Sequence, residues 1–499
     1  MDQNNDSNSH KTILKATSVF GGMQLAKMGV SIVSLKFVAV FLGPIGMGIV
    51  GLLTNTINII SAVTSFGFST TSIREIANAT GKVDSEKREL ETIYLVQKIA
   101  LGVGVFGALI AIVFSSQLSQ LTFGSTDKYY WFLMLSVNFV FTSYTTSRIA
   151  ILQGKRMLKM IAISNIISSI LISISSVLIY YFLRLDGIVV VLLMSSAINW
   201  GVNWYCTRNF KTQSIHLGLP DIWKKSLPIL KLGFLLSINV IFGYICTFII
   251  KIYLNSNGAT SAILGFYEVS TVILISYVGM IFNAMSMDFY PRLTSLNDDH
   301  IQMKKLTNNQ IEIALLLLTP AILFLYLVAP YMIELLYSKD FLAVNTILKV
   351  GLFAMIIKAV IWPLGFIILA KGDKKQYFIQ ELLGDFLNVS FTILFYNYFG
   401  LVGIGFASAL NFSLYGFYVY YVVNKKYDFS FRKECITIVV FSILVGLLSC
   451  FSVLFLSNRY ALITISILLF FSLLFSYCEI DKRVGVKRYV LKIKNKFLK

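Results

Sequence analysis

The chain has 499 residues, of which 57% are hydrophobic and only 13% charged, and it carries a formal net charge of +19. That balance excludes a soluble globular domain and fits an all-helical membrane protein. The basic excess does not mark a nucleic-acid binder, because the lysines and arginines sit in short segments between apolar spans, where they read as topology signals.

A polar tail, Met1 to His10, opens the chain. Residues 13–42 follow as a run too long and too apolar for a soluble helix, long enough to cross a bilayer at about 1.5 Å per residue. No small-residue cleavage site follows a short apolar core, so this run is expected to be a retained helix, not a removed signal peptide. Lys27 lies near its middle, and a helical wheel puts Thr17, Gln24, Lys27, Ser31 and Ser34 on one polar stripe.

Further spans are predicted at 45–71, 92–115, 129–150, 160–182, 187–206, 229–254, 262–289, 311–337, 343–369, 377–399, 401–423, 435–456 and 460–477. With the N-terminus in the cytoplasm, the inner segments collect nearly all the basic residues, among them Arg74, Arg156, Lys224, Arg292, Lys375 and Lys426. The outer loops keep only Lys128, Arg184, Lys339 and Arg459. This asymmetry predicts both termini inside and an even span count. The basic tail after Tyr477 reads as a stop-and-anchor signal or as a site for acidic headgroups.

The chain also repeats. Ile13-Leu14-Lys15 returns as Ile229-Leu230-Lys231, Lys36 as Lys251, Arg74 as Arg292, and Leu185 as Leu401. The expected architecture is therefore an all-α integral membrane protein of about 14 transmembrane helices: two six-helix lobes related by a parallel internal repeat, a central cavity, and two extra C-terminal helices. The boundaries are a cytoplasmic tail at 1–12, lobes at 13–210 and 229–424 joined by a linker at 211–228, the appended helices at 435–477, and a basic tail at 478–499.

Catalytic signatures are missing. Gly81-Lys82 lacks the spacing and the hydroxyl of a phosphate-binding loop, and neither HExxH nor GxSxG occurs. The cysteines (Cys206, Cys246, Cys435, Cys450 and Cys478) form no CxxC pair, and His10, His216 and His300 lie in the tail or loops. No enzyme, cofactor, metal or disulfide framework is expected; a secondary transporter is.

Charges at bilayer depth are costly and usually face an interior or a cavity. Lys27 and Lys358 are too deep for easy snorkelling and are assigned to a cavity. Lys36 and Lys251 lie nearer the outer end, where a headgroup contact competes with a cavity role. Arg148 reads as cavity-lining, on a face with Asn138, Thr142 and Thr145, or as a cytoplasmic anchor. Lysine attracts phosphate as a point charge, so these five residues are the candidates for an anionic headgroup. Glu268, Glu381, Asp385 and Asp288 are the deep acids and the candidates for ion coupling. Glu381 and Asp385, at i,i+4, are either a proton or sodium pair or partners of loop lysines.

Phe41-Leu42-Gly43-Pro44-Ile45-Gly46-Met47-Gly48 at the outer hairpin and Thr71-Ser72-Ile73-Arg74-Glu75-Ile76-Ala77 at the next inner turn resemble bacterial O-antigen translocases. These are polysaccharide members of the multidrug/oligosaccharidyl-lipid/polysaccharide exporter superfamily. The resemblance covers residues 13–424. It implies a flippase of the bacterial inner membrane that moves an undecaprenyl-pyrophosphate-linked oligosaccharide, an O-antigen or related repeat unit, from the cytoplasmic to the periplasmic leaflet. Alternating access, coupled to an ion gradient, would carry the headgroup past Lys27, and past Lys251 and Lys358 with a looser fit to the family's interior cations. Membrane lipids, a polysaccharide polymerase and a chain-length regulator are the implied partners, and nucleic acid is not. The two C-terminal helices depart from twelve-helix members and keep a lipid II-type flippase open. A multidrug or organic-cation antiporter is the alternative within the superfamily, for which Glu268 is the mid-lobe acid. A membrane scaffold for sugar-polymer enzymes is the alternative outside it.

Overall fold

The computed structural model describes the backbone of residues 2–80, 85–155, 157–208, 218–257, 262–296 and 299–484. Side chains are described from residue 29 onward, except 85–87, 158, 219–224, 228, 231–232, 235–236, 287 and 483–484. The side chains of Thr17, Gln24 and Lys27, the Gly81-Lys82 pair and the tail beyond residue 484 therefore lie outside the described residues.

Every regular element among the described residues is helical. A hydrocarbon environment requires this, because it offers no water to backbone N–H and C=O groups and a helix satisfies them within one segment. In chain order the helices are α1 (Asp2–Ser65), α2 (Phe68–Ala79), α3 (Ser85–Val113), α4 (Ser115–Phe123), α5 (Tyr129–Gly154), α6 (Leu158–Leu183), α7 (Gly187–Thr207) and α8 (Leu219–Asn257). Then come α9 (Ile263–Thr271), a π-helical segment (Val272–Val278), α10 (Gly279–Ser295), α11 (His300–Leu336), α12 (Val344–Ala370), α13 (Lys374–Phe399), α14 (Leu401–Tyr427), α15 (Lys433–Phe455) and α16 (Asn458–Val484).

Among the described residues, eleven stretches are long and apolar enough to cross a membrane. Three of them hold more than one helix: Gly29–Ser65 contains a break at Gly43, Lys159–Thr207 joins α6 to α7, and Ile263–Ser295 runs from α9 through the π segment into α10. α5 has the length of its neighbours but falls outside the hydropathy limit. The protein is thus a multi-pass membrane protein with a span count close to that read from the sequence.

The break in α1 has a local cause. Gly43 takes φ 62°, ψ −174°, outside the helical region, and Pro44 has no N–H to continue the ladder. The helix is interrupted there, at the position where the sequence reading expects the outer hairpin. A second break corrects a boundary: the span expected to reach residue 71 ends at Ser65, because Phe66 (φ 44°) and Gly67 (φ 63°) are left-handed. The chain resumes as α2, whose buried face of Phe68, Thr71, Ser72, Ile76 and Ala79 packs with Ile93, Val96, Ile99, Ala150 and Ile151 of α3 and α5.

The chain forms two compact units, Met1–Gly265 with Leu336–Ser338, and Phe266–Leu335 with Lys339–Lys499. In the first, residues 44–65 of α1 run along α8. Asn55 donates to the Tyr244 carbonyl at 3.1 Å, and Lys251 donates to the Gly51 carbonyl at 3.0 Å. At one end of this contact a Cβ on Gly67 would overlap the backbone of Gly233; at the other, a Cβ on Gly265 would overlap the Pro44 carbonyl. In the second unit α12 is central. Its apolar residues face every direction, and 61% of its span is buried against 11% for α13. α15 packs on it through Cys450 against Val350 and Phe353. An ion pair from Arg432, just before α15, to Glu312 of α11 at 3.2 Å holds that end.

Candidate functional site

Four helical faces of the second unit enclose a cavity of about 350 Å³. On α12 the lining face is Ile347, Gly351, Met355 and Lys358; on α13 it is Glu381, Gly384, Asp385, Asn388 and Thr392. Both follow the i, i+3/i+4, i+7 spacing of one helix side. α14 adds Ile404, Ser408, Asn411, Phe412 and Tyr415, and α9 with the π segment adds Tyr267, Ser270, Thr271, Leu274 and Ile275. A second cavity of about 190 Å³ shares Lys358, Glu381, Phe412 and Tyr415 with the first and continues toward Trp362, Gly365, Phe366, Tyr377 and Gln380.

Lys358 is the cation of this site. Its ammonium lies 5.3 Å from the ring centroid of Phe412 and 5.9 Å from that of Phe282, within cation–π range. Among the described residues it forms no ion pair, so its charge is left to the cavity. Glu381 and Asp385 share the cavity with it, and Glu381 accepts a hydrogen bond from Gln380. Of the nearby loop lysines, Lys426 pairs with Asp373, at 2.9 Å. Gly384 lies between the acids, where a Cβ would press on the Tyr415 ring at 3.2 Å. The π turn beside the cavity is a rare geometry, found mostly as single turns inside α-helices and often at functional sites.

The other sequence candidates lie elsewhere. Lys251 is buried in the first unit against Gly51. Arg148 is only 8% exposed; its guanidinium stands 5.2 Å from the Tyr144 ring centroid and donates to Thr207 Oγ1 at 3.4 Å. Lys36 is partly buried on α1, and Glu268 stands beside the cavity-lining Tyr267 on α9. Asp288 is exposed and pairs with Arg292 one turn on, at 3.0 Å. No cluster of histidine, cysteine and acidic side chains fit for a metal occurs among the described residues.

Sequence reasoning found Lys358 as a lone deep charge and Glu381 with Asp385 as an i,i+4 pair. It missed Gln380, Asn388, Thr392, Ser408, Asn411 and Tyr415. The missed signal is the polar i,i+4 ladder of α13 from Glu381 through Thr392 and its counterpart on α14.

A helical bundle with a charged intramembrane cavity is the setting in which the chain meets known proteins. The profile of a family described as polysaccharide biosynthesis protein matches residues 37–346, more than half of the chain. The chain belongs to that family. No curated protein matches the family member in sequence. Among solved structures, the lipid II flippase MurJ in an inward closed conformation superposes with a TM-score of 0.70 at 14% identity, over 93% of this chain and 99% of that one. An inward-facing multidrug resistance MATE transporter of the MOP superfamily superposes with a TM-score of 0.67 at 14% identity, over 80% and 95%. A MOP superfamily transporter from Pyrococcus furiosus, described by the reversed polarity of its binding pocket, superposes with a TM-score of 0.57 at 14% identity, over 83% and 96%. This member of the polysaccharide biosynthesis family therefore shares its fold with the MurJ flippase and the MATE transporter.

Proposed function

We propose that the protein is a flippase for a lipid-linked oligosaccharide of surface-polysaccharide assembly, carried on undecaprenyl pyrophosphate and moved from the cytoplasmic to the periplasmic leaflet of a bacterial inner membrane. The observation that carries this reading is Lys358: a deep cation without an ion-pair partner among the described residues, in a cavity, in a member of a polysaccharide biosynthesis family. An ammonium there attracts a phosphate far more strongly than it would in water. Lys27, Lys36, Lys251 and Arg148 are further candidates for meeting an anionic headgroup, both termini are assigned to the cytoplasm, and Glu381 with Asp385 is assigned to coupling transport to an ion gradient.

The test is complementation of a translocase-deficient strain by wild type and by Lys358→Ala, with the amount of protein in the membrane measured for each. Wild type restores surface glycan and Lys358→Ala, still inserted, does not. Full activity of Lys358→Ala removes the basis of the reading.

One observation favours a second reading, an organic-cation antiporter. The acids it needs are present as Glu381 and Asp385. Efflux of a cationic dye that depends on these two residues and not on Lys358 would establish it.

A further inference from the structure

Four residues line both cavities of the second unit: Lys358 of α12, Glu381 of α13, and Phe412 and Tyr415 of α14. An ammonium and a carboxylate therefore stand where the two spaces join. Inside a protein opposite charges attract far more strongly than in water, so these two would close on one another if nothing else held them. Yet Lys358 and Glu381 form no ion pair among the described residues. The ammonium instead stands over two ring faces, 5.3 Å from the centroid of Phe412 and 5.9 Å from that of Phe282.

The rings come from two different helices, Phe412 from α14 and Phe282 from α10. Phe282 is 3% exposed, and its ring lies 5.6 Å from that of Trp362, which in turn lies 5.3 Å from that of Phe366. An aromatic cluster thus fixes one of the two faces. What holds the ammonium matters chemically. A carboxylate would cancel the charge and occupy the N–H groups. An aromatic face attracts the charge through its quadrupole but offers no carboxylate lone pair, so the N–H groups stay available to the oxygens of a guest. A phosphate that meets Lys358 on the rings finds a whole positive charge; one that meets it on Glu381 finds a closed pair.

We propose that Phe412 and Phe282 are positioning residues: their ring faces hold the Lys358 ammonium off Glu381 and so keep its charge for an anionic guest. The inference rests on the flippase reading of Lys358 and adds what keeps that charge available.

The test measures binding of inorganic pyrophosphate to the purified full-length protein in detergent by calorimetry. Wild type binds, and Lys358→Gln binds at least about tenfold more weakly. Phe412→Leu keeps an apolar side chain and removes the ring face. With Glu381 present it weakens binding by about tenfold, because the lysine falls onto the acid. In the Glu381→Gln background the same substitution costs less than about twofold, because no acid is left there to capture the lysine. A ring that only filled space would cost the same in both backgrounds. Phe282→Leu, with and without Glu381→Gln, reads the same cycle from the other ring and carries the test if Phe412→Leu does not remain monodisperse. An equal loss in both backgrounds, or no loss in either, overturns the positioning role and leaves the flippase reading standing. If wild type binds no pyrophosphate, or Lys358→Gln binds it as tightly as wild type, the reading of Lys358 itself falls and the inference falls with it.

Discussion

The Nζ of Lys251 on α8 donates to the main-chain carbonyl of Gly51 on α1 at 3.0 Å, and Lys251 is only 7% exposed. A charged donor on a backbone carbonyl, shielded from water, ties residues 44–65 to α8 near the middle of their contact. Lys251→Met keeps the apolar stem and removes the bond, and the loss is expected to be about 1.5–3 kcal/mol. A lower unfolding temperature in detergent, with normal membrane insertion, is the expected readout. An unchanged temperature would mean that the bond contributes nothing.

The same contact is clamped at its ends by glycines. A Cβ at Gly265 would overlap the Pro44 carbonyl, and one at Gly67 would overlap the Gly233 backbone as well as strain a left-handed residue. Gly265→Ala and Gly67→Ala should therefore push α1 from its partners and abolish transport in a complementation assay. Gly102→Ala is the control, because nothing lies within 4 Å of a Cβ built there. Wild-type activity of Gly265→Ala would show that the close approach is not required.

A buried acid of α11 anchors the segment that leads into α15. Glu312, 2% exposed, accepts from Arg432 at 3.2 Å, while the neighbouring Asn308 accepts from the Arg432 main-chain N–H at 2.9 Å and donates to the Ser430 carbonyl at 3.2 Å. Glu312→Ala removes the charge partner of a guanidinium that is itself partly exposed, for an expected cost of about 1–3 kcal/mol. Limited proteolysis of the segment between α14 and α15 should become faster in this variant. An unchanged cleavage rate would show that the apolar contacts of α15 suffice.

Asp373 carries the pH-dependent contribution outside the membrane spans. It caps α13 by accepting from the Gln376 main-chain N–H at 3.0 Å and also accepts from Lys426 and Tyr427. The backbone hydrogen bond first, then Lys426, holds its carboxyl below the usual carboxylate range. A lowered folded-state value means stability that is present above the unfolded value of about 3.9 and lost as pH falls through the folded one. Thermal unfolding of wild type and Asp373→Asn should differ by a constant amount at neutral pH and converge below about pH 4. A difference that grows on acidification would contradict this assignment.

Much of the molecule was legible in the chain because membrane insertion is a local decision. Whether residues 343–369 span depends on their own apolar content, and α12 spans Val344–Ala370. The break in α1 was readable for the same reason, since Gly43-Pro44 interrupts a helix whatever surrounds it. Individual deep charges were readable too, because a charge in an apolar run stands out at its own position.

Their relations to one another were not legible. Lys358, Glu381 and Asp385 stand on two helices, and no periodicity within either helix says that the two faces line one cavity. Lys251 and Lys358 look alike in sequence, each a lysine in an apolar span; packing alone put one against a main-chain carbonyl and left the other between two aromatic rings. The sequence by itself determined that this is a multi-pass helical membrane protein with cations at depth, because the exclusion of polar groups from lipid acts residue by residue. Only the tertiary structure decided which helix faces meet, and therefore which charges share a cavity, because that depends on contacts between segments far apart in the chain.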